Sequence, residues 1–383
     1  MKKMNHRKIL SLCMCVVYCS LLVSCGSSSA KNTNQINGNE SVTKVFENEK
    51  NADETDTNEN NNSQEEKKDD VSASGDIFAM DTYMTVQAYG SHADEAVKEA
   101  LKEIERLDGM LSATDKDSEI YELNIHHGGH LSDDVSDLIE RSKEVYESTG
   151  GKFNIAIYPI VEIWGFASGN YRVPNQDEID ALQEDIDFSK IEFEKNSKSL
   201  VYGSEKMKID LGGIAKGYTS ARIMDIFRNL GVTSGIVNLG GNVQVLGMKP
   251  DGSEWKVAIQ NPVEEESYIG VVKVHDKAVI TSGGYERYFE ENGVRYHHII
   301  DPDTGFPANT GLISVSIICA DGTLADCLST SLFIMGKDGA IEYWKMHQGE
   351  FDMILYTEDE ELFITEGIAD SFISESKITV ISE

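Results

Sequence analysis

Three short stretches of this chain carry residue types able to do chemistry. In Asp210-Leu211-Gly212-Gly213-Ile214-Ala215-Lys216-Gly217-Tyr218, a glycine pair stands between a short β-like run, Met207 to Ile209, and an amphipathic segment. Glycines at the start of a helix let a ligand approach the backbone, where free amides favour anions, and Lys216 adds positive charge for a phosphate. A simple tight turn is the alternative, since the spacing matches neither the P-loop nor the dinucleotide fingerprint. The second stretch is Thr281-Ser282-Gly283-Gly284-Tyr285, followed by Tyr296 through Pro307. There His298 and Asp301 fall across a strand-to-turn junction, so that either can serve acid–base work or hold a ligand in one cleft. A surface strand and a side-chain-capped turn account for the same residues without chemistry. The third is Ala325-Asp326-Cys327-Leu328-Ser329-Thr330, at the start of an apolar helix. Asp326 and Thr330 are one helical turn apart and share a face. Carboxylate, hydroxyl and carbonyl oxygens are the hard ligands magnesium takes, while an acid in the first turn also complements the helix dipole.

These residues need elements to position them. Phe78 to Tyr89 alternates as a strand, and Ala93 to Leu111 has helical spacing with Ala96, Ala100, Leu101, Ile104 and Leu107 on one face. Asp133 to Ser148 repeats that spacing and stops at Gly150-Gly151. Ile214 to Leu230 is a third helix, ended by Gly231. Strands follow at Trp255 to Gln260, Tyr268 to Val274 and Ala278 to Ser282. A hairpin joins Tyr285 to Glu290 and Val294 to Ile300 through Asn292-Gly293. Leu312 to Cys319 reads as a strand, Leu324 to Met335 as a helix, and the tail returns to strands. Strands and helices mix without regular βαβ alternation, so the fold class expected is α+β.

Ahead of this lies a different kind of sequence. Lys2, Lys3, Arg7 and Lys8 precede an apolar run from Ile9 to Val23, too short for a comfortable span, which ends in Leu22-Val23-Ser24-Cys25. That ending resembles a bacterial lipobox, so residues 1–24 read as a signal peptide and Cys25 as the site of lipidation. Residues 25–75 read as a solvated, acidic linker, too polar to bury a core, and residues 76–383 as the catalytic domain. No second apolar segment of spanning length is expected to cross the membrane. The chain carries 66 acidic against 34 basic residues, a formal charge of −32. So acidic a surface argues against nucleic acid and against a polybasic membrane patch. Handling a phosphorylated ligand then calls for a cation as intermediary. Beyond the leader and Cys25 only Cys319 and Cys327 remain, too few for a disulfide framework, and no clustered Cys and His pairs suggest zinc.

Taken together, the stretches resemble the ApbE family of FAD:protein FMN transferases. Six segments carry the resemblance, in family order: Met80-Asp81-Thr82, Asp210 to Tyr218, Asn238-Leu239-Gly240-Gly241-Asn242, Ser282 to Phe289, His298 to Pro307, and Ala325 to Thr330. The resemblance implies a single large α+β domain of mixed and antiparallel sheets with packed helices. It implies magnesium-dependent cleavage of the FAD pyrophosphate, with transfer of FMN to a Thr or Ser hydroxyl of a partner and release of AMP. The acceptor would be an exported flavoprotein, such as a subunit of a redox-driven ion pump. Carried over by position, Asp326, Thr330 and the carbonyl of Gly213 match metal ligands, with Ser329 beside them. Met80, Lys152, Phe153, Asn154, Asp210, Lys216 and Ile300 match positions lining FAD. Thr114 stands where many relatives have an aromatic that packs on the flavin. His298 is the side chain for acid–base help. Two other readings stay open: a pyrophosphatase that hydrolyses FAD to FMN and AMP, and a non-enzymatic ligand-binding lipoprotein.

Overall fold

The computed structural model describes residues 71–264 and 266–383, which belong to one unit of the chain; the lipidation site assigned to Cys25 lies outside them. Chain order begins with β1 (Ser72–Ala79) and β2 (Thr82–Tyr89), then α1 (Ala93–Leu111), α2 (Glu119–His126), β3 (Gly128–His130) and α3 (Asp133–Ser148). Short α4 (Tyr158–Trp164) and α5 (Gln176–Asp180) lead to β4 (Glu192–Glu194) and β5 (Ser199–Val201). Helix α6 (Ala215–Asn229) opens a run of strands: β6 (Ser234–Leu239), β7 (Asn242–Leu246), β8 (Trp255–Gln260), β9 (Tyr268–Val274) and β10 (Ala278–Gly283). The hairpin β11 (Tyr288–Glu291) and β12 (Val294–His297) precedes β13 (Leu312–Cys319) and α7 (Gly322–Met346). The chain closes with β14 (Asp352–Thr357), β15 (Leu362–Thr365), β16 (Phe372–Ile373) and β17 (Ile378–Ile381). This is an α+β fold.

Its frame is a nine-stranded sheet in the order β1-β2-β6-β7-β10-β13-β14-β15-β17. Its pairs are antiparallel, apart from the parallel pair of β15 and β17. Helices α1, α6 and α7 cover one face. The small sheet β16-β9-β8 packs Trp255, Val257 and Val272 with Val243, Val279 and Ile318 from the other. The pleat explains how one strand serves both layers: in β13, Val315 and Ile317 join the helical core, whereas Ile318 joins the core between the sheets. A further, aromatic cluster gathers Trp164, Phe166 and Ile300 with Phe289, Tyr296 and Phe306 around the hairpin.

The structure corrects several expectations. Phe78 to Tyr89 is not one strand: the chain reverses at Met80 and Asp81, both with positive φ (47° and 59°), and β1 pairs with β2 from Ser72↔Tyr89 to Ala79↔Thr82. Such two-residue reversals are ordinarily signalled by Asn-Gly or Asp-Gly. Here the Met80 amide instead donates to Asp108 Oδ1 at 2.8 Å, a partner 28 positions away. Strand β1 also begins inside the stretch read as linker. Its first residues are small and polar, so nothing in their hydrophobicity announces the pairing. Met207 to Ile209 forms no strand; Asn124 serves its backbone instead, accepting from Ile209 N and donating to Ile209 O, both at 2.8 Å. The hairpin strands are shorter than expected, Tyr288–Glu291 and Val294–His297, because the chain bends at Glu286, whose amide returns to the Gly283 carbonyl, and again at His298. The helix expected to end at Met335 resumes beyond Gly336, whose φ of 75° breaks it; Thr310 Oγ1 donates to the freed Phe333 carbonyl at 2.9 Å.

Candidate active site

The site forms where α6 and α7 start beside each other. A Cβ on Gly217 would lie 2.2 Å from the Gly322 carbonyl and 2.6 Å from Asp326 Cβ, so only glycine allows this approach. The close crossing lets Gly217 N donate to Asp326 Oδ2 at 2.8 Å. From β7, Asn242 Nδ2 donates to Asp326 Oδ1 at 3.0 Å. Asp326 is only 4% exposed and has no ion-pair partner among the described residues. A buried carboxylate held by two neutral donors invites a cation. One turn on, Thr330 and Ser329 present hydroxyls, and Ser282 at the end of β10 lies 2.8 Å from Ser329 Oγ and 3.2 Å from Thr330 Oγ1. The described residues hold no cluster of three or more His, Cys, Asp or Glu side chains suited to a metal. One carboxylate with hydroxyls and carbonyls suits magnesium rather than zinc.

Positive charge stands next to this site. Helix α6 has no N-cap side chain and no acid of its own in the first turn, but its amides are already engaged in part, Ala215 N with the Leu211 carbonyl at 2.9 Å and Gly217 N with Asp326. Lys216 on that turn is half-buried and in no ion pair among the described residues. Burial raises the Asp210 carboxyl, against the opposing pull of the Gly212 amide, Arg287 and Lys216. Glu286 is exposed over much of its surface, yet the surroundings of its carboxyl withhold water and push it up to about 7; Asp326 adds to the rise and Lys216 opposes it. Phe153, buried, lies beneath the glycine pair, 3.2 Å from where a Gly213 Cβ would stand.

His298 follows the hairpin. Both its backbone N and its Nδ1 lie 3.1 Å from the Arg287 carbonyl, so Nδ1 carries the proton and Nε2 is the basic nitrogen. His298 is half-buried overall, yet desolvation of its ring, then the charge of Arg287, push it down to about 3. Its neighbour His297 is structural: Nε2 meets the Ala308 carbonyl at 2.9 Å and Nδ1 accepts from Ile299 N at 3.3 Å. Asp301 has other partners. Its Oδ1 accepts from Lys152 Nζ at 2.9 Å and from Asp303 N at 3.2 Å, and Lys152 also reaches Asp303 at 2.7 Å. Trp164 Nε1 donates to the Gly305 carbonyl at 2.8 Å and fixes this turn to the aromatic cluster. Ile300 is buried in that cluster and bridges to Pro307.

The remaining expected residues divide. Met80 sits in its strained reversal with Sδ 3.9 Å from Thr219 Oγ1, one turn along α6 from Ala215. Asn154 caps a short helical turn through Ala156 N (2.9 Å) and donates to the Ile186 carbonyl (2.8 Å), so its side chain is taken up by the fold. Thr114 is exposed in the loop after α1 and bonds Ser112. Asn242, Ser282, Glu286 and Arg287 were not singled out from sequence. All four lie inside the motif segments, which is the only signal that points to them; the partners of Asn242 and Ser282 are 84 and 47 residues away.

The family model described as "ApbE family" matches residues 80–355. The chain belongs to the ApbE family. It is 32% identical over 314 residues to the FAD:protein FMN transferase of Treponema pallidum, covering 76% of this chain and 86% of that one. The corresponding protein of Klebsiella pneumoniae is 30% identical over 279 residues, covering 72% and 86%. Among solved structures, the ApbE protein of Thermotoga maritima superposes with a TM-score of 0.73 at 30% identity, covering 78% of this chain and 98% of that one. The apo flavinyl transferase ApbE of Pseudomonas stutzeri gives 0.68 at 26%, covering 76% and 92%. The single ApbE-like domain expected from sequence is therefore present.

Proposed function

We propose that this ApbE protein is a magnesium-dependent FAD:protein FMN transferase that moves FMN from FAD to a Thr or Ser hydroxyl of an exported flavoprotein and releases AMP. The observation that carries this reading is the buried Asp326 carboxylate, held by the Gly217 amide at the start of α6 and by Asn242 with no ion-pair partner among the described residues. Family membership gives that arrangement its substrate. Asp326, Thr330, Ser329 and the Gly213 carbonyl would hold magnesium, which supplies charge neutralisation at the pyrophosphate. Lys216, in no ion pair among the described residues, binds and orients the phosphates, and Phe153 supports the glycine turn from below. Lys152, kept in place by Asp301 and Asp303, adds a further cation at the rim.

In the transfer, the acceptor oxygen bonds to the FMN phosphorus as the P–O bond to AMP breaks, and AMP leaves with the bridging oxygen. The hydroxyl proton passes to His298 Nε2, which the Arg287 carbonyl aims by holding Nδ1–H. The FAD pyrophosphate dianion set against Lys216 and Arg287 offsets the charge part of the depression of His298, which is smaller than the part due to burial, and so makes it a better base with substrate bound. We propose further that Cys25 carries a lipid and that the enzyme works on the outer face of the membrane.

The test is mass spectrometry of an acceptor flavoprotein incubated with this protein, FAD and magnesium. A gain matching FMN, abolished by EDTA, is the expected result. FMN and AMP without an adduct on a competent acceptor would overturn the transferase in favour of a pyrophosphatase.

A further inference from the structure

The geometry points to Ser282 as the positioning residue that orients the hydroxyl ligand of the cation site; the inference rests on the magnesium site proposed above. Ser282 is placed by the pleat of β10. Ala278 and Ile280 face the helical core, Val279 faces the second sheet, and Ser282 shares the parity of the first pair. It therefore looks toward α7, while Thr281, of the opposite parity, bonds Ser316 Oγ at 2.7 Å.

Proton counting then fixes a direction. Each hydroxyl has one proton to give. Ser329 gives its proton to the Asp326 carbonyl, at 2.8 Å. In the 2.8 Å contact with Ser329, Ser282 is therefore the donor. With its proton spent, Ser282 accepts in the 3.2 Å contact with Thr330, so Thr330 is the donor there. The chain runs from Thr330 to Ser282 to Ser329 to the Asp326 carbonyl, and each link polarises the next. Its consequence is that the Thr330 proton is turned toward the sheet, and the Thr330 lone pairs are presented to the cation. Without Ser282, the Thr330 hydroxyl is free to turn back on the carbonyl of Asp326, its i−4 residue, as Thr commonly does in helices. That rotation redirects the lone pairs. Ser282 is thus an outer support for the ligand rather than a ligand itself.

The experiment titrates Mn2+ into the full chain in the presence of FAD and reads free Mn2+ by electron paramagnetic resonance. Ser282→Ala is expected to weaken Mn2+ binding by about tenfold, the lower end of losses seen when a ligand's outer partner is removed. Ser282→Thr keeps the hydroxyl and restores affinity, whereas Ser282→Val, its isostere without the hydroxyl, does not. That pair decides the matter even where alanine disturbs folding. Wild-type affinity in Ser282→Ala and Ser282→Val, with binding lost in Asp326→Ala, overturns the role of Ser282 alone. Failure of the wild-type protein to bind Mn2+ overturns the metal site and the Ser282 inference with it.

Discussion

At the scale of the residue, Asp326 concentrates the electrostatic problem of the site. Its two oxygens each accept one hydrogen bond from a neutral donor, which orients the carboxylate but does not neutralise it. Asp326→Ala should reduce transfer at least about 100-fold, since a metal's charge stabilisation amounts to several kcal/mol. Thermal melts give an independent check: FAD with magnesium should raise the wild-type midpoint and leave the variant's unmoved. A variant that kept full activity at limiting magnesium would remove Asp326 from the metal site. His298 offers a second prediction. Its folded value, about 3, lies below the ordinary histidine value of 6.5. Between those values the unfolded chain binds more protons, so His298 contributes stability that is present above pH 6.5 and lost as pH falls toward 3. Melting midpoints of wild type and His298→Asn, followed from pH 8 to pH 4, should therefore diverge, with the wild type falling more steeply below pH 6.5. Parallel curves would mean that His298 titrates normally.

At the scale of the element, the crossing of α6 and α7 decides whether there is a site at all. Gly217→Ala would gain about 1 kcal/mol of helix propensity. The added methyl, however, meets the Gly322 carbonyl at 2.2 Å, and a backbone atom cannot swing aside as a side chain can. Overpacking of this kind costs about 1–3 kcal/mol, so the steric term wins. Denaturant midpoints should fall, and magnesium dependence should weaken as the Gly217 amide withdraws from Asp326. A more stable variant would show that the helices part without cost. The helices themselves were legible in sequence, because α1 and α3 repeat their apolar positions over several turns and α3 ends at the Gly150-Gly151 stop. The reversal at Met80-Asp81 was not, because its support comes from Asp108 on another element. The roles of Ser282 and Asn242 were hidden for the same reason: each acts on α7 across a contact that only the assembled fold creates. His298 and Asp301 were read as neighbours on one cleft, and the fold gives them different partners, the Arg287 carbonyl and Lys152.

At the scale of the whole molecule, the folded residues follow an N-terminal stretch of quite different composition, proposed above to end its leader at a lipidated Cys25. Cys25→Ala should shift the expressed protein from the membrane fraction to the soluble fraction while leaving FMN transfer by the detergent-free enzyme intact. Retention of the variant at the membrane would remove the lipid anchor. The two cysteines of the folded domain matter here too. Cys319 and Cys327 are both buried and unbonded, and burial pushes the first up to about 12 and the second well above its usual range. Neither sulfur is a thiolate at neutral pH, and thiolates are what oxidants and alkylating reagents attack. For an enzyme working outside the membrane, as proposed, this makes the native state chemically silent in surroundings that oxidise exposed thiols. Only opening of α7 or β13 would unmask the pair, so their rate of alkylation is a clock for how often the intact domain comes apart.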